Sequence, residues 1–135
     1  MSVHQSLLPE GWPRPRGYAN GMAGSGRLVV TGGVVGWDHD ERFVSADLPG
    51  QFRQVLANTL AILAEAGAGP EHVIRMTWYI LDRQDYAAHL AEIGAIYREA
   101  MGRNYPAMAV IQVAGLIEPA ARIEIETTAL VPDES

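Results

Sequence analysis

Cysteine and lysine are both absent from this sequence, and all ten basic residues are arginine. Without cysteine there is no thiol nucleophile, no disulfide and no thiolate-bound metal. Without lysine, covalent catalysis through a lysine Schiff base is excluded. Long apolar runs are missing too: none approaches the ~18 residues that a membrane helix needs. Residues 1–16 hold three prolines and no apolar core of a leader peptide, which argues against a secretory signal and implies a cytoplasmic location. The four histidines, His4, His39, His72 and His89, are scattered without metal-ligand spacing, and His39 sits in a polar Asp38-His39-Asp40 turn that reads as solvated. Gly24-Ser25-Gly26 is a turn and not a phosphate loop, because no Gly-Lys-Ser/Thr follows it. The net charge of −6 repels phosphate backbones unless the arginines cluster, so nucleic acid is a poor partner. No pattern calls for a cofactor or a metal.

What is present is enough for one folded domain. The chain has 135 residues, 48% of them hydrophobic and 19% charged, which suits a single core over residues 1–135 with residues 1–16 as an irregular N-terminal arm. Arg27 to Thr31 reads as a strand ended by Gly32-Gly33, with Val34 to Trp37 continuing it after a bulge. Residues 51–66 form the clearest helix, with Phe52, Val55, Leu56, Thr59, Leu60 and Leu63 in one apolar stripe and Gly67 as its terminating glycine. Residues 73–81 read as a strand with Ile74, Met76, Trp78 and Ile80 under the helices and Val73, Arg75, Thr77 and Tyr79 on the other face. Asp82 is the N-cap of a second helix running to about Met101. Residues 107–113 and 122–131 are the last strands. On the final one Glu124 and Glu126 share a face, roughly 7 Å apart at Cα by the ~3.3 Å rise per residue. The economical packing is an α+β fold, a mixed sheet with two helices on one face. Its other face is then uncovered, which argues for oligomerisation.

Several segments, in order, resemble the RidA (YjgF) family, also labelled endoribonuclease L-PSP. They are Tyr18-Ala19-Asn20-Gly21, Thr31-Gly32-Gly33, the helix from Gln51 through Asn58 to Gly67, the strand Ile74 to Asp82, Pro106-Ala107, and Ile123-Glu124-Ile125-Glu126. The resemblance spans about residues 15 to 131. It implies a chorismate-mutase-like subunit in a homotrimer with a central barrel, and small-molecule pockets between subunits. It also implies hydrolysis of reactive enamines or imines to ammonia and a 2-keto acid. Tyr18, Gly33 and Glu124 match family pocket residues, with Glu124 in the place of the acid that holds the attacking water. Glu126 nearby and partial burial would favour a general-base role for it.

The sequence departs from the family at the position of the arginine that grips the substrate carboxylate, where it has Met108. A bond to a charged group is worth ~1.5–3 kcal/mol, so losing a bidentate pair costs ~3 kcal/mol or more. That is about a hundredfold in affinity. Val34, Ala91 and Val110 also stand where the family has polar residues or cysteine, so the pocket is more apolar. Arg103, in the turn before Met108, is a candidate source of the missing charge. As unremarkable residues, Met108 is packing, Arg103 is a solvated turn residue, and Trp12 and Trp37 are plain core. The function expected first is a RidA-like hydrolase with a less polar substrate. The alternative is a non-catalytic trimeric module that binds a small metabolite or regulates a partner. A ribonuclease ranks third, since the charge and the lack of paired histidines oppose it.

Overall fold

The main sheet is built around the last strand of the chain. The computed structural model describes residues 2–133. Arg27–Val30 (β3), Val34–Val35 (β4), Val73–Ile80 (β5), Ala107–Gln112 (β6) and Ile123–Val131 (β7) form this sheet, ordered β3-β7-β5-β6 with β4 also on β7. β7 runs antiparallel to β3, β4 and β5, and β5 and β6 are parallel. The arm is not wholly irregular: Gln5–Ser6 (β1) pairs with Met22–Ala23 (β2), and His4 Nε2 lies 2.8 Å from Leu130 O.

The expected bulge between β3 and β4 is present. Val30 pairs with Thr128 and Val34 with Ile125, so four steps on one strand oppose three on β7. The extra residue falls at Thr31-Gly32-Gly33 and redirects the strand. A second bulge interrupts β5 between Val73 and Arg75. Its effect is that Val73 is buried and Ile74 is not, against the simple alternation; Met76, Trp78 and Ile80 are buried as expected.

The first helix, Leu48–Ala64 (α1), begins three residues before the expected start. Asp47 is its N-cap, accepting from Gly50 N at 2.8 Å, and Pro49 suits the first turn, where no backbone donor is needed. Gly67 adopts φ 71° just beyond its end, the left-handed turn anticipated there. The second helix is capped by Asp82 as expected but is two helices, Arg83–Ala88 (α2) and Leu90–Met101 (α3). The break is at His89, whose ring Nδ1 donates to Asp85 O at 2.9 Å while its backbone N–H turns to Tyr86 O. The side chain thus takes the carbonyl that would have continued the helix.

Both long helices lie on one face of the sheet. Phe52, Leu56 and Leu63 from α1 and Ile93, Tyr97 and Met101 from α3 pack on Met76, Trp78, Ile123 and Ile125. The opposite face carries Arg75, Tyr79, Glu124 and Glu126, with Leu28 and Val30 well exposed on β3. No helix among the described residues is long and apolar enough to cross a membrane.

Candidate functional site

Two groups of the candidate residues form separate clusters. The first is Gly33 and Glu124. Glu124 pairs with Val35 on one side and Tyr79 on the other, which points its half-buried side chain out of the uncovered face. Its carboxylate lies against the Gly33 backbone: a Cβ at position 33 would meet Glu124 Oε2 at 2.2 Å. Glycine here permits that close approach and is not needed for backbone freedom.

Two buried or half-buried amides fix this corner. Asn58 Nδ2 donates to Val35 O at 3.1 Å and Trp37 O at 2.7 Å, tying the end of β4 to α1. Gln51, fully buried, donates to Ser45 O and Ala120 O and accepts from Arg122 N at 2.7 Å, joining α1 to the start of β7. The two glutamates differ in partners. Tyr79 Oη donates to Glu126 Oε1 at 2.7 Å, and that bond, with some desolvation, raises the Tyr79 pKa.

The second cluster is a groove of about 510 Å³ between the β6 edge and α3. Met108 and Val110 lie beside Met76 and Trp78 in the parallel register, so they face the helix side. Ala19 N donates to Pro106 O at 2.9 Å, which holds Tyr18 beside the start of β6. The groove's aromatic wall is continuous: Trp78 and Tyr97 centroids are 6.1 Å apart, and Tyr97 stacks on Tyr105 at 5.4 Å. Tyr97 Oη donates to Asn104 O, and burial, with a smaller contribution from Tyr105, raises the Tyr97 pKa well above the ordinary tyrosine value.

The structure brings Tyr18 and Met108 together, and Gly33 and Glu124 together, but within one chain it separates the two pairs onto opposite faces of the sheet. Arg103 lines a neighbouring groove with His4 and Arg14 rather than the groove of Met108. The cations beside Met108 are Arg16 and Arg98. Neither was singled out from the sequence; the available signal was Gly94, a glycine inside a helix one turn before Arg98. Trp37 packs on Phe43, and Trp12 is 59% exposed, so neither tryptophan walls the groove. No cluster of three or more metal-ligating side chains occurs among the described residues.

A mixed sheet backed by helices, with a glutamate at a glycine strand break and a tyrosine beside the β6 edge, defines a recognisable class. The sequence pattern described as Endoribonuclease L-PSP matches residues 13–131. A RutC family protein of Pyrococcus horikoshii is 32% identical over 94% of this chain and 98% of its own. A 2-iminobutanoate/2-iminopropanoate deaminase of Salmonella typhimurium is 31% identical over 78% of this chain and 80% of its own. A solved structure from the Rid family of Yersinia pestis matches with TM-score 0.81 and 34% identity, covering 95% of this chain and 98% of the other. The chain belongs to the RidA (YjgF) family.

Proposed function

We propose that the protein hydrolyses a reactive enamine or imine made from an amino acid, releasing ammonia and a 2-keto acid, on a substrate less polar than that of Arg-bearing relatives. The observation that carries this reading is the Glu124 carboxylate set against the Gly33 backbone, with Met108 in an open groove. Glu124 holds a water and removes its proton as the oxygen adds to the imine carbon. The C=N bond becomes C–N, and the nitrogen, once protonated, leaves as ammonia while the carbinol oxygen becomes the ketone. An anionic general base fits that role.

The half-sites lie on opposite faces of one chain, so a working site needs two chains, with Tyr18 and Met108 from one and Gly33 and Glu124 from the next. A homotrimer whose uncovered sheet faces line a central barrel meets that need. The exposed Leu28 and Val30 on that face are consistent with burial by another copy. Deaminase relatives at about 30% identity support the chemistry at the level of class. The test is ammonia release from imines generated in place from alanine, leucine and phenylalanine. Faster turnover of the leucine or phenylalanine imine is expected; no turnover of any imine would replace this reading with that of a binding module.

A further inference from the structure

The groove beside Met108 has lost the expected arginine but has not lost positive charge. Among the described residues, its only charged lining residues are Arg16 and Arg98, and no acidic residue joins them. Neither arginine has a carboxylate within ion-pair distance among the described residues, whereas Arg53 and Arg122 do. The Arg98 guanidinium lies back over Gly94, where a Cβ would sit 3.4 Å from Nη1. The bare backbone at Gly94, itself part of the lining, leaves room for that head group. Leu90, Ile93 and Val110 give the wall an apolar side, beside the rings of Tyr18, Tyr86 and Tyr105.

We infer that this groove binds 2-oxo or 2-imino acid anions with an aromatic or large branched side chain, and that Arg98, helped by Arg16, replaces the missing arginine as the carboxylate anchor. The side chain lies on Met108, Leu90 and Val110. The nature of the reacting group rests on the hydrolase reading above; the anchor and the side-chain preference rest on the groove alone. An arginine on a helix beside an apolar wall selects by both charge and size, where an arginine at position 108 would have filled part of the space now open to the side chain.

Calorimetric titration of the full-length protein with phenylpyruvate and pyruvate tests this. Phenylpyruvate should bind once per chain and at least about tenfold more tightly than pyruvate, in line with burial of an aromatic ring. Arg98→Gln should weaken phenylpyruvate by about tenfold or more through loss of a charge-assisted contact. Phenylacetone, which lacks the carboxylate, should bind weakly and be indifferent to that change. Arg98 is exposed, so its substitution leaves the fold intact. Equal affinity for pyruvate, no effect of Arg98→Gln, or no binding of phenylpyruvate would each overturn the inference. Turnover measured alongside separates the two readings. Arg98-dependent binding without turnover of any imine upholds the groove assignment and removes the hydrolase. Turnover of small imines that is untouched by Arg98→Gln overturns the groove assignment and keeps the hydrolase.

Discussion

Glu124 and Gly33 are in such close contact that a single methyl group at position 33 would fall 2.2 Å from the carboxylate oxygen. The obstructed atom is the end of a flexible side chain, so Gly33→Ala should displace the carboxylate rather than unfold the strand. Hydrolysis should fall by about a hundredfold, the order lost when a general base is misplaced. The melting temperature should move by only a few degrees, as expected for ~1 kcal/mol or less. Kinetics and thermal unfolding of the same preparation check both.

The adjacent carboxylates should separate cleanly. Glu124→Gln should lower turnover by about 10²–10⁴, the usual contribution of a general base. Glu126→Gln should leave turnover within a few fold, because Glu126 is occupied by Tyr79. It should instead bring the Tyr79 pKa down, since the bond to Glu126 is the main reason that it is raised. An ultraviolet titration of tyrosine ionisation in the two variants reads this directly.

Gln51 supports the site without touching ligand. Its amide satisfies Ser45 O, Ala120 O and Arg122 N from a fully buried position. Gln51→Ala should cost ~2–4 kcal/mol, from the loss of three hydrogen bonds and the cavity left at a fully buried side chain. Urea unfolding should show the loss as a lower midpoint with an unchanged slope.

Alkaline stability should report on Tyr97. Burial raises its pKa in the folded state above the unfolded value near 10. The folded protein therefore holds that proton more tightly. The associated stability is fully present below pH ~10 and is lost as the pH rises towards the folded pKa, at about 1.4 kcal/mol per pH unit. Unfolding free energies measured from pH 9 to 11 should fall above 10, and more gently in Tyr97→Phe.

The assembly should be a trimer. Light scattering at micromolar concentration should give about three times the 14.6 kDa chain mass. Val30→Asp places a charge on an exposed apolar position of the uncovered face and should shift the mass towards monomer. A wild-type monomer would remove the two-chain site described above.

Much of the fold was legible because short-range physics dictates it. The stripe from Phe52 to Leu63, the cap at Asp82, the turn at Gly67 and the alternation of Ile123 and Ile125 with Glu124 and Glu126 each depend on residues within a turn or two. The bulge in β5 and the break at His89 were not legible, since the first is a register shift against a distant strand and the second turns on which donor takes the Asp85 carbonyl. The sequence alone determined the acid at position 124, the absence of an arginine at 108 and the class of protein these imply. Only the tertiary structure decided that Glu124 and Met108 lie on opposite faces of the sheet, and that Arg98, not Arg103, stands beside Met108. The reason is that α3 and β6 meet through packing on Trp78 and Tyr97, and no local pattern records which side chain on a helix surface that packing will leave facing a groove.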